Sequence, residues 1–144
     1  MGHSPLKIIF YGIESFSFQS NKKIKENRRG AQSAENITTD VKYMTAADNE
    51  NLHKIEMKIS VDSKGKEHPP YRLSLFIWGV FEIDESFAKE SADFLVQING
   101  PSILYGAARE YIFASTAHGR FGPYLLPSVS FRPELKQEND LDTE

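Results

Sequence analysis

The order of patterns along the chain predicts an α+β fold, a four-stranded antiparallel sheet with one long helix. Three observations predict it. Strand-like stretches come first and the helix-like stretch comes last. Residues 54–62 alternate strictly, with Ile55, Met57, Ile59 and Val61 on one face and Lys54, Glu56, Lys58, Ser60 and Asp62 on the other. The segment from Asn99 to Phe131 opens with helix-start residues and then carries apolar side chains around nearly its whole circumference.

The first strand is expected over Leu6 to Phe18, where β-branched and aromatic residues dominate. Ile8 and Phe10 share a face with Phe16 and Phe18 only if Gly12 and Glu14 lie there too, which predicts a bulge near Gly12. A polar stretch follows, from Gln19 to Asn36, with the cations Lys22, Lys23, Lys25, Arg28 and Arg29. A solvated loop accounts for this run better than a nucleic-acid groove, because the rest of the chain is net acidic. A weaker second strand is expected over Ile37 to Ala46, and the third, Lys54 to Asp62, is the cleanest. Residues 63 to 70 read as a hairpin loop.

The fourth strand, Tyr71 to Asp84, places Leu73, Leu75, Ile77, Gly79, Phe81 and Ile83 on one face. Phe76, Trp78 and Val80 fall on the other, beside Arg72, Ser74 and Glu82. Phe76 and Trp78 then either meet apolar residues of the first strand or form a contact surface. Glu85 to Ile98 has no clear period and reads as a connector with one helical turn. The helix proper is expected to start at Pro101, capped by Asn99 or Gly100, and to close with His118 in its last turn and Gly119 just beyond. Between them only Arg109 and Glu110 are charged. Such a helix in a chain of 144 residues is expected to be buried on several sides, by a partner subunit or a ligand as well as by its own sheet. Phe121 to Phe131 contains Gly122, Pro123 and Pro127, so it is an apolar loop that must pack down or cover a groove.

Composition narrows the functional classes. The length fits one domain, residues 1–133, followed by a short acidic tail, 134–144, expected to be disordered. The absence of cysteine excludes disulfides, thiolate zinc sites and cysteine nucleophiles. A net charge of -3 gives no global pull toward nucleic acid or acidic membranes. No apolar run approaches ~20 residues, so no membrane insertion is expected. His3, His53, His68 and His118 lack metal-ligand spacing, and no phosphate loop or nucleophile elbow is present. Neither metal nor cofactor is expected, and the chain does not read as an enzyme. The exposed aromatics leave open a binding module for a small apolar ligand or single-stranded nucleic acid.

Three blocks resemble the export chaperone family SecB: IESFSFQS at 13–20, FIWGVFEI at 76–83, and GPSILYGAAREYIFASTAHGRFGPYLLPSVSF at 100–131. The third is the strongest, carried by Pro101, Ala108, Arg109, Glu110, Gly119, Phe121, Pro127, Val129 and Phe131. The resemblance implies a cytoplasmic holdase that binds non-native polypeptides without ATP, assembled as a dimer or a dimer of dimers with its long helices between sheets. It implies client contacts from Ile24, Ile37, Phe94, Tyr105, Tyr124, Leu125 and Leu126. Phe76 and Trp78 join them from the face argument above. Leu104, Ala107, Ala108, Tyr111, Ile112 and Ser115 are expected at the subunit interface. Implied partners are pre-secretory chains, the translocation motor ATPase, or a dedicated client such as an antitoxin. Ser74, and Ser15 or Glu14, stand where the family's sheet carries motor-docking acids, and the loop after the first strand lacks the family's aromatics. The family's second, C-terminal helix is expected to be short or absent, since only RPELKQENDLDTE follows the apolar loop.

Overall fold

A computed structural model describes residues 4–24, 34–64, 68–87 and 89–132. The elements are β1 (Leu6–Ser20), a single 3-10 turn (Ala34–Asn36), β2 (Ile37–Thr45), β3 (Leu52–Val61), β4 (Tyr71–Ile83) and α1 (Lys89–Ser115). The four strands form one antiparallel sheet in the order β1-β4-β3-β2, and α1 crosses one face. This is the α+β architecture that the sequence pattern predicts. Residues 134–144, where the acidic tail and any second helix would fall, lie outside the described residues, as do Lys25, Arg28 and Arg29 of the basic run.

The inner strands set the core. Ile55, Met57 and Ile59 of β3 and Leu75, Ile77 and Phe81 of β4 are fully buried beneath α1. Each such side chain contributes about 1.5–3 kcal/mol of transfer free energy. Their alternate neighbours face outward, as the period of two requires. On that outer face Lys54 sits 5.4 Å from the Trp78 ring centre and Lys58 sits 5.2 Å from that of Phe76.

The irregularity of β1 is resolved by two bulges. The pairing with β4 shifts between Ile8 and Phe10 and again between Ile13 and Ser15, on either side of Gly12. Each extra residue reverses the alternation. Ile8, Ile13, Phe16 and Phe18 consequently oppose Phe81, Ile77, Leu75 and Leu73 on the helix side, while Phe10 lies outside. There Phe10 meets Trp78 edge to face, at 5.5 Å between ring centres. Trp78 also lies across Gly12, where a Cβ would come within 2.8 Å of the indole. Both alternatives for the Trp78 face are thus realised in part: it meets β1, yet Phe10 remains 52% exposed.

The helix departs from expectation at its start. It begins at Lys89, so the stretch read as a connector is helical and Pro101 lies in the helix interior. An interior proline leaves the carbonyl four residues earlier without its N–H donor. That carbonyl belongs to Gln97, and the Tyr43 hydroxyl of β2 donates to it at 3.3 Å. Ser102 Oγ donates to the adjacent Ile98 carbonyl at 2.8 Å. Next to Pro101, Gly100 rests directly on Ile55, and a Cβ there would collide with Ile55 Cδ1. Tertiary contacts that local pattern cannot display therefore carry the helix through two residues that ordinarily end one. The other end also differs. The helix stops at Ser115, and His118 lies in the turn beyond it. Thr116 Oγ1 donates back to the Ile112 carbonyl at 2.7 Å, and Gly119 N–H to the Thr116 carbonyl at 2.8 Å.

Candidate polypeptide-binding surfaces

The apolar loop after α1 is held by hydrogen bonds from side chains that the sheet and helix position. Tyr71, buried at the start of β4, donates to the Gly122 carbonyl at 2.7 Å and accepts from Phe121 N–H at 2.8 Å. Gly122 has a φ of 78°, in the region open to glycine, which turns the chain there. Thr116 Oγ1 accepts from Tyr124 N–H at 2.8 Å. Tyr105 donates to the Pro127 carbonyl at 2.7 Å, and Arg109 Nε to the Leu126 carbonyl at 2.8 Å. Four side chains thus satisfy the backbone of a segment with no ladder of its own, which is what permits it to lie against a core.

Burial raises the phenols of this region. Tyr105 is pushed up to about 12, with the Arg109 cation opposing the shift. Tyr71 and Tyr124 are raised for the same reason. The Tyr124 hydroxyl is buried and has no hydrogen-bond partner among the described residues. These groups are neutral near pH 7 and act as packing and strapping elements. His53 is held below its usual value by burial, with Asp93 opposing. Among the described residues no cluster of three or more His, Cys, Asp or Glu is placed to hold a metal ion.

The expected contact residues divide among several surfaces. Tyr105, Tyr124 and Leu126 are buried under the loop, and Ile24 is buried below the end of β1. Leu125 is half-buried and lines an open hollow of about 370 Å³ with Gly106, Arg109, Glu110 and Phe113. Phe94 stands exposed on the first half of α1, and Ile37 begins β2. Phe76 and Trp78 lie on the opposite face of the sheet from Tyr105, Tyr124 and Leu126, and Phe76 shares an open cavity at the edge of β2 with Phe131 and Arg132. Of the residues expected at a subunit interface, Leu104, Ala108 and Ile112 are wholly buried in the chain's own core. Ala107, Tyr111 and Ser115 flank that buried stripe: Ala107 packs against the core and Tyr111 is partly exposed, whereas Ile103 and Phe113 are exposed further round the helix. Tyr111 also meets Phe16 of β1 edge to face at 5.4 Å.

Sequence reasoning did not place Phe113, Tyr11 or Phe131 among the contact residues. Phe113 follows Ile112 and points away from it, a helical-phase signal that was available in the sequence. After the first bulge Tyr11 lies opposite Gly79 on the helix side of the sheet, where it is still exposed, and Phe131 is placed by its ring contact with Tyr105 at 5.8 Å. On the outer sheet face Ser17, Ser74 and Ser60 lie side by side across β1, β4 and β3, and Glu14 is the extra residue of the second bulge. No helix among the described residues is long and apolar enough to cross a membrane.

Residues 4–140 match the family model of SecB, the preprotein translocase subunit. An uncharacterized protein of Methanocaldococcus jannaschii is 26% identical over 140 residues, covering 93% of this chain and 88% of the relative. The protein-export protein SecB of Caulobacter vibrioides is 25% identical over 131 residues, covering 90% and 78%. A SecB-like chaperone of Mycobacterium tuberculosis, solved in complex with a ChAD peptide from an antitoxin, aligns with a TM-score of 0.47 at 16% identity, covering 90% of this chain and 94% of that one. With its family model matched over nearly the whole length, the chain belongs to the SecB family of preprotein translocase subunits.

Proposed function

We propose that this protein is a cytoplasmic, ATP-independent holdase that binds non-native polypeptides. The observation that carries the reading is the use of polar groups around the loop. Tyr71, Tyr105, Arg109 and Thr116 bond to the chain's own loop backbone, so these polar groups are engaged within the fold, and the hollow beside the loop sets apolar Phe113 and Leu125 next to Arg109 and Glu110. Phe113 and Leu125 on that side, and Phe10 at the outer face, offer area rather than directed contacts. Non-directional burial suits a protein that accepts many sequences. Membership of the SecB family supports the same assignment.

Self-association belongs to this reading. Ile103 and Phe113, with Tyr111 at the margin of the packed stripe, leave apolar helix surface exposed among the described residues, and a second copy would remove it from water. The neutral Ser17–Ser74–Ser60 row supports service to a dedicated client over docking to an export motor. The test is light scattering of a chemically denatured reporter protein diluted into buffer. The chaperone is expected to suppress aggregation at near-stoichiometric ratio without nucleotide. Unchanged aggregation at tenfold excess would sink the reading.

A further inference from the structure

β2 is an edge strand, and its pairing fixes which main-chain groups point away from the sheet. Asp62 N–H donates to the Asn36 carbonyl at 3.1 Å, and Ala46 N–H to the Leu52 carbonyl at 3.0 Å. These two pairs bracket the β2–β3 ladder, which keeps one register from Ile37 opposite Val61 to Thr45 opposite His53. Hydrogen-bonded pairs recur at every second residue of an unbulged antiparallel ladder. Thr38, Asp40, Lys42 and Met44 therefore bond to β3. Thr39 and Val41 turn their N–H and C=O the other way, off the edge of the sheet.

An open cavity of about 650 Å³ runs along that edge. Five consecutive residues, Thr39 to Tyr43, line it, together with Phe76, Lys58 and Glu56 from the outer sheet face and Phe131 and Arg132 from the loop. A cavity that follows successive residues of an edge strand has the shape of an extended chain.

We propose that β2 accepts an extended segment of a client polypeptide as a fifth strand, by main-chain pairing to Thr39 and Val41. The occupant has alternating apolar and charged side chains, because β2 itself alternates. Thr39 and Val41 are half-buried on the helix side, near Phe131, whereas Asp40 and Lys42 are exposed on the outer side, near Lys58 and Glu56. A strand added here inherits that pleat. Main-chain bonds would give affinity that does not depend on client sequence, and the flanking pockets would give a preference for pattern. The opposite edge, β1, is ill-suited to the same use, since its two bulges break the regular ladder. Identifying the occupant as a client rests on the holdase reading; the open edge does not.

The probe is a labelled peptide of about ten residues that alternates valine with lysine or glutamate. Two further versions are N-methylated at every second residue, in opposite phases. The unmethylated peptide is expected to bind, one phase of methylation to weaken binding about tenfold or more, and the other to have little effect, the weight of one or two main-chain hydrogen bonds. Thr39→Pro removes only an outward N–H, which an edge strand tolerates, and is expected to keep the melting temperature while weakening binding about tenfold. Equal binding of both methylated phases overturns the proposal, and this arm decides even where Thr39→Pro loses its fold. A change in oligomeric state for folded Thr39→Pro also overturns it, since a second copy would then occupy the edge. Suppressed aggregation without phase dependence leaves the holdase reading standing and removes the edge. Phase-dependent binding without suppressed aggregation does the reverse.

Discussion

The two faces of α1 carry similar side chains and do opposite work. On the inner face Leu104, Ala108 and Ile112 have no exposed surface, and Gly100 lets the helix sit on Ile55. Away from it Ile103 and Phe113 are 40% and 44% exposed, and Tyr111, at the margin of the inner face against Phe16, is 38% exposed. Hydrophobicity alone does not separate the two sets. What separates them is phase: Ala108 and Ile112 recur at four-residue steps from Leu104 and meet the core, whereas Ile103 and Phe113 fall between those steps and stay exposed among the described residues. A helix apolar on every side is therefore one core stripe plus an apolar surface left over, and the second is where assembly and client contacts belong under the proposed function.

The largest expected effect breaks the inner face. Ile112→Glu places a charge at a site with no water and no partner, and we expect a loss of about 4 kcal/mol or more, enough to prevent folding. Circular dichroism of the purified variant would reveal it; a native-like melt would show that the inner face is not a closed core.

A smaller effect concerns the loop that the same face supports. Burial pushes the Tyr105 phenol up to about 12 in the folded chain, against 10.0 for an ordinary tyrosine. A folded value above the unfolded one favours the neutral form, so its stabilisation is intact below pH 10 and is lost as pH rises from 10 through 12. We expect on the order of 2 kcal/mol to disappear over that range. Urea midpoints measured across it should fall less steeply for Tyr105→Phe than for the parent chain. Parallel curves would place the titration elsewhere.

The smallest expected change in stability sharpens the comparison most. Tyr111→Glu alters a side chain that is already 38% exposed, and should change unfolding free energy by less than about 1 kcal/mol. Yet the proposed second copy would bury that charge, so sedimentation should report a folded chain of lower mass than the parent. An unchanged assembly would move the interface away from this face.

Much of the fold was legible because β3 alternates without interruption from 54 to 62 and β4 carries Leu73, Leu75, Ile77, Phe81 and Ile83 at every second position of one face. The start of the helix was not legible. Pro101 and Gly100 carry a local signal to begin there, and what overrides it is Tyr43 donating to Gln97 and the seat on Ile55, contacts between residues more than forty positions apart. The candidate surfaces were legible as types of residue but not as places. Tyr105, Tyr124 and Leu126 were expected as contact residues because the family resemblance implies a client groove at the helix and its following loop; in the single chain the straps from Tyr71, Tyr105, Arg109 and Thr116 hold that loop down and the three side chains are buried.

The sequence by itself determined the fold class, the order of the elements and the absence of cysteine chemistry, because periodicity and composition are local properties of the chain. Only the tertiary structure decided which half of the helix's apolar surface is core, where β1 reverses its alternation, and which residues of β2 point their main-chain groups off the sheet. Each of those is a matter of register, and register is set by a partner strand or helix rather than by the segment that carries it.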